Sequence, residues 1–179
     1  MNEGLITVRY AKAFYELAAE EKVLDTVRQD MNSILSLARE VEDFRFFLDS
    51  PLIKSDEKKK IFTKLFKDSV QEVTLRLLSL LVEHKRENYL EGICRNFLSH
   101  YKAEMGIKEA SITTAFEIPE EIKEHIHAFV TKYFNAKIEL NQRVAPSIIR
   151  GFVLRVEDQQ INASIASQLN KIKRELINS

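Results

Sequence analysis

The side chains able to do chemistry are sparse in this 179-residue chain, and their spacing does not suit it. Of four histidines, His125 and His127 stand two apart on a predicted helix, where they point in different directions and cannot chelate as a pair. No His-Glu-x-x-His pattern occurs. The nearest approach to a metal pair, His84 with Glu87, reads as solvated charge at the end of a helix. Cys94 is the single cysteine, so an intrachain disulfide and a multi-cysteine metal site are both excluded. Beside Ile93 and Phe97 it reads as a thiol filling core space. Gly92, Gly106 and Gly151 are isolated, and no Gly-x-x-x-x-Gly-Lys-Ser/Thr phosphate loop exists. The basic run Lys58-Lys59-Lys60 follows Asp56-Glu57 directly, which reads as a solvated helix face rather than a nucleic-acid site. The expectation is a binding protein with no catalytic residue, no metal and no cofactor.

Charge agrees with that reading. The chain has 27 basic and 27 acidic residues, so its formal net charge is zero. Neither half carries the basic excess of a non-specific nucleic-acid binder. The N-terminus has neither a basic leader nor a long apolar stretch, and the longest apolar run ends at Glu83-His84-Lys85-Arg86. That run is far short of the ~20 residues a membrane span needs. Membrane association is therefore expected only through partners.

The elements that would position a binding surface fall into two parts, 1–104 and 105–179. The first reads as a six-helix bundle. Ile6, Tyr10, Ala13, Phe14 and Leu17 form one helical face, and Leu5, Val8, Ala11, Tyr15 and Ala18 form a second. A helix runs from Leu24 to Val41, followed by a short aromatic helix around Phe44 to Leu48, which Pro51 interrupts. Ser55 reads as the cap of the fourth helix, with Asp56 and Glu57 at the positive end of its dipole. A fifth covers Val70 to His84 and a sixth Asn88 to Lys102. After Gly106 the period changes. Lys108 to Phe116 alternates as a strand, Pro119-Glu120-Glu121 opens a helix through Phe134, and Lys137 to Asn141 alternates again. Gly151 to Val156 is a third strand, Gln160 to Asn162 a short return, and Ser164 to Ile177 a final helix. The fold class is mainly α, with a small C-terminal helix-and-strand domain. Two bundle helices, around Tyr10 to Leu17 and Leu77 to Val82, are apolar on more than one side, as a groove for an amphipathic helix would require. A central place in the bundle would explain them equally well.

Two segments resemble a known family. Val8-Arg9-Tyr10-Ala11-Lys12-Ala13-Phe14-Tyr15-Glu16-Leu17-Ala18 is similar to the opening helix of the ATP synthase delta subunits and the oligomycin-sensitivity-conferring protein. Val144-Ala145-Pro146-Ser147-Ile148-Ile149-Arg150-Gly151-Phe152-Val153-Leu154-Arg155-Val156 resembles that family's C-terminal signature, continued by Ile161-Asn162-Ala163-Ser164. Arg150 stands where the family usually has a glycine, and Ala145 and Asn162 where it often has aspartate.

The resemblance implies a non-catalytic stator subunit of a rotary, proton-translocating ATP synthase. It implies that the bundle holds N-terminal segments of alpha subunits at the catalytic head, through Tyr10, Phe14, Leu17, Leu77 and Leu81. The second domain would meet the C-terminal ends of the b subunits through Gly151, Phe152, Leu154, Leu169 and Leu176. Peripheral attachment at the cytoplasmic face of a bacterial inner membrane is the expected location. The other reading is a helical adaptor that binds an amphipathic peptide in an unrelated assembly.

Overall fold

In the computed structural model, residues 3–145, 152–157, 159–160 and 174 are described. The chain divides into two compact units, Met1–Tyr101 and Lys102–Ser179.

The first unit is built from α1 (Glu3–Glu20), α2 (Leu24–Glu40), α3 (Glu42–Asp49), α4 (Ser55–Phe66), α5 (Glu72–Glu83) and α6 (Leu90–Glu104), with a 3-10 turn at Glu87–Tyr89 before α6. One core runs through it. Thr7, Ala11, Phe14 and Ala18 of α1 are buried at spacings of three and four, so one stripe of that helix faces inward. Val27, Met31, Ile34 and Ala38 do the same for α2, while Phe44, Phe62 and Phe66 supply a group of edge-to-face and stacked rings. Cys94 is wholly buried, 3.9 Å from Met31 Sδ. Burial pushes its thiol well above the ordinary range, so it fills space and is no nucleophile.

Two helices end in the same way. After α1, Lys22 takes a left-handed φ of 59° while Val23 N–H reaches Ala18 O. After α5, Lys85 takes φ 54° and Arg86 N–H reaches Leu81 O. These are Schellman-type closures with lysine where glycine is usual. Their turns let the chain reverse within a few residues.

The start of α4 corrects the expectation for its cap. Ser55 is the first residue of α4; Lys54 occupies the cap position and no side chain caps it. For α5 the capping group comes from another helix. Asp30 of α2 is buried, and its Oδ2 accepts from Gln71 N–H at 2.8 Å and Thr74 Oγ1 at 2.7 Å. A carboxylate there gives one backbone amide and one hydroxyl at the helix start an acceptor, and it faces the positive end of the helix dipole.

The expected solvated face of Lys58-Lys59-Lys60 is also only partly found. Lys58 is 3% exposed and pairs with Glu87 at 2.6 Å. Glu87 is thus part of a buried ion pair and not solvated charge beyond a helix. A lysine at an inward helical position must bring its counter-ion with it.

The second unit contains β1 (Ile107–Thr114), α7 (Glu120–Phe134), β2 (Lys137–Val144), β3 (Phe152–Val156) and β4 (Gln159–Gln160). The strands lie in the order β2-β1-β3-β4. β1 and β2 are parallel, joined by α7 as the crossover, with Ile107 in register with Lys137. β3 pairs antiparallel with β1, Ile112 opposite Leu154, and β4 pairs antiparallel with β3. Ala110, Ile112, Ile138, Leu154 and Val156 meet Ile126 and Val130 of α7, so alternate residues of each strand face one helix. Pro119, at the N-cap, and Glu120-Glu121 open that helix as expected. The final helix, expected over 164–177, lies outside the described residues except for Arg174, which is helical.

Candidate protein-docking surfaces

The two helices with excess apolar residues resolve differently. α5 spends almost all of them internally. Val73, Leu77, Leu78, Leu81 and Val82 are buried, with Leu80 its one large exposed apolar side chain. Leu77 and Leu81 are therefore part of the core and not of an open face in the free chain.

α1 does keep an apolar outer face. Leu5 is 60% and Val8 52% exposed, and Leu17, on the far side of the helix's core stripe, is 38% exposed. Leu5, Val8, Arg9, Lys12, Ala13 and Glu16 line a shallow depression of about 420 Å³. Phe14 lies beneath, buried, with its ring 5.5 Å from that of Phe97. Tyr10 is half-buried and held in place: its hydroxyl accepts from Arg86 Nη1 at 2.8 Å, and the guanidinium lies 5.6 Å from the ring centre. Of the residues singled out on this helix, Leu17 is exposed and Tyr10 borders the surface. Leu5 and Val8, which belonged to the second apolar face in the sequence, prove to be its most open members. Helical period alone reveals two faces without saying which one the bundle takes.

In the second unit, Leu154 is buried in the sheet core, and Phe152 begins β3 opposite Thr114. Gly151, Leu169 and Leu176 lie outside the described residues. The sheet face away from α7 is polar and charged. Glu109 and Glu139 are register partners there, and Lys102 pairs with both, at 3.0 Å to Glu139. Burial alone would lower the Lys102 pKa; its hydrogen bonds to the two carboxylates outweigh that and raise it.

Among the described residues no group of histidine, cysteine, aspartate or glutamate could hold a metal ion, and no helix is long and apolar enough to cross a membrane. His127 Nε2 donates to Ile138 O at 2.8 Å, and His125 Nδ1 to Glu121 O at 2.8 Å, so both imidazoles serve local structure.

The matches to known proteins cover the whole of this architecture. The chain is 36% identical to ATP synthase subunit delta of Cytophaga hutchinsonii, over 97% of this chain and 94% of that one. It is 35% identical to the Flavobacterium johnsoniae subunit delta, with 96% of each chain covered, and 32% identical to that of Desulforamulus reducens, over 99% and 98%. Its fold is similar to a chain in the Toxoplasma gondii mitochondrial ATP synthase hexamer, with a TM-score of 0.73 and 23% identity over 99% of this chain and 98% of that one. The model of the ATP synthase delta (OSCP) subunit family matches residues 6–176. The chain belongs to the ATP synthase delta (OSCP) subunit family.

Proposed function

We propose that the outer face of α1 is where this subunit holds the N-terminal segments of the alpha subunits. The family role is that of a non-catalytic stator component linking head to stalk, so attachment is the whole of its mechanism. The observation that carries the proposal is the exposure of Leu5 and Val8 on a helix whose opposite stripe is already satisfied by the core. An amphipathic helix laid along that depression would bury apolar area on both sides at modest ordering cost. Arg9, Lys12 and Glu16 at its rim supply charge that fixes the register of the incoming helix. Phe14, Leu77 and Leu81 contribute from the core, and Tyr10 from the border, by fixing the helix that carries the face.

The second unit is the end that meets the b subunits, through the segment Gly151, Phe152 and Leu154 and the final helix with Leu169 and Leu176. Joining both attachments in one chain raises the effective concentration at the second site once the first is engaged. The location that follows is the cytoplasmic face of the bacterial inner membrane, reached only through these partners. The relatives named above that support this are bacterial.

Calorimetric titration of the full chain with the alpha-subunit N-terminal peptide tests the head contact. Saturable binding is expected, abolished in Leu5→Asp/Val8→Asp and kept in Phe46→Asp, whose side chain is exposed on α3. A folded chain that binds no peptide would refute the assignment.

A further inference from the structure

The outer face of α1 is built as two short ridges. Residues four apart on a helix stand in one row, so Leu5, Arg9 and Ala13 make one ridge and Val8, Lys12 and Glu16 the next. These side chains line the α1 depression, which is thus the furrow between the two rows. All of them are exposed.

The furrow changes character along its length. Leu5 and Val8 flank its first level and give it an apolar end. One turn on, Arg9 and Lys12 flank the next level, so two cations stand beside the same point. Ala13 and Glu16 close the far end, where the wall is low on one side and negative on the other. These charges are poorly compensated within the helix. Lys12 reaches Glu16 only at 4.0 Å, with both side chains 65% exposed, and such a pair contributes little in water. Arg9 has no ion pair and no side-chain hydrogen bond among the described residues.

An incoming helix whose own ridge enters this furrow meets the three levels with side chains four residues apart. The first level takes an aliphatic or aromatic side chain. The second takes a carboxylate, since the Arg9 guanidinium offers a planar fork of donors and Lys12 adds a second charge. The third opposes a carboxylate, because Glu16 stands beside it. Sliding the incoming helix by one turn sets its acid either on Leu5 and Val8, which offer no side-chain donor, or against Glu16. A charge with one favourable position between two poor ones fixes register as well as adding attraction.

We infer that the segment held on α1 carries a carboxylate one helical turn from its apolar anchor, and that Arg9, with Lys12, reads it. This rests on the docking assignment above and adds the chemistry that selects the partner. Arg9 and Lys12 lie at an exposed rim, so the contact is salt-sensitive and serves selection and encounter rate more than total affinity.

The test is calorimetric titration of the full chain with the alpha-subunit N-terminal peptide at about 50 mM and about 500 mM salt. At low salt Arg9→Glu, with an unchanged circular dichroism spectrum, should weaken binding roughly fivefold or more, because attraction becomes repulsion. High salt should shrink that effect. Arg45→Glu makes the same change in net charge at an exposed position of α3 and should bind like wild type. Peptides with each Asp or Glu replaced in turn by Lys should include one that binds wild type weakly and restores binding to Arg9→Glu. Arg9→Glu binding like wild type, equal losses in Arg9→Glu and Arg45→Glu, or no peptide that restores binding would each overturn the inference. The docking face would survive those results as long as Leu5→Asp/Val8→Asp still abolishes binding. If that double variant binds like wild type, the docking face falls and this inference falls with it.

Discussion

Lys58 Nζ lies 2.6 Å from Glu87 Oε1 and 2.9 Å from Leu48 O, so one buried ammonium ties α4 to the 3-10 turn and to the end of α3. The second carboxylate oxygen, Glu87 Oε2, is buried with no hydrogen-bond partner among the described residues. The pair is thus only partly compensated. Lys58→Met is expected to cost about 3 kcal/mol, because it leaves a buried carboxylate with no counter-charge. Lys58→Met/Glu87→Leu should recover most of that loss, since replacing both members with apolar groups removes the desolvation penalty as well. Urea unfolding of the three chains measures both quantities.

Asp30 makes a similar bond between separate helices. Asp30→Ala should destabilise the first unit by about 1–3 kcal/mol, since Gln71 N–H and Thr74 Oγ1 both lose their acceptor. Asp30→Asn keeps an acceptor oxygen and should lose less. Hydrogen exchange would place the defect at the first turn of α5.

Gly92 marks where α6 passes close to α1. A Cβ there would stand 2.8 Å from Thr7 Cγ2, on a threonine whose Oγ1 accepts from Asn96 Nδ2 and donates to Gly4 O. Gly92→Ala is expected to destabilise by about 1–3 kcal/mol through overpacking. Thr7→Ser removes the offending methyl and keeps the hydroxyl, so Thr7→Ser/Gly92→Ala should be more stable than Gly92→Ala alone. Thermal melts of the full cycle would reveal this coupling; strict additivity would contradict it.

Lys102 predicts an alkaline limit. Its folded-state pKa lies above the unfolded value of 10.5, so its contribution to stability is complete below that pH and is lost as pH rises through the folded value. Tyr101 acts with the same sign: its hydroxyl donates to Asp25 Oδ1 at 2.7 Å, which raises its pKa above 10.0. Unfolding followed against pH should therefore show a steepening fall in stability above about pH 10. Lys102→Met should flatten that fall for the second unit, and should also lower its stability at neutral pH by leaving Glu109 and Glu139 facing each other.

The architecture was legible because its periods are clean. The switch from three-and-four spacing to alternation at Gly106 coincides with the step from α6 to β1, and Pro119 with the start of α7. Surfaces were less legible. Two apolar faces on α1 were visible in the residues, but only the packing of Ala11, Phe14 and Ala18 determines that Leu5 and Val8 remain outside. Leu77 and Leu81 carried the same apolar signal and went to the core. Long-range polar bonds left no trace at all. Nothing in the spacing of Asp30 and Gln71, or of Lys58 and Glu87, announces that they meet, since each pair is joined by the fold rather than by a helical turn. Ser55 looked like a cap because residue type is local, whereas the break before α4 falls one residue earlier.

The central strand of the sheet has a consequence for biogenesis. β1 has one neighbour across the α7 crossover and another still further along the chain. On the ribosome it emerges with Ala110 and Ile112 unshielded until α7 follows, and it lacks its β3 neighbour until synthesis has passed Val156, whereas the bundle before it already holds its own core partners. Translation at ~5–20 residues per second sets the length of that interval. The second half of this subunit is therefore the part with most to gain from a nascent-chain chaperone, and the part for which the order of synthesis matters most.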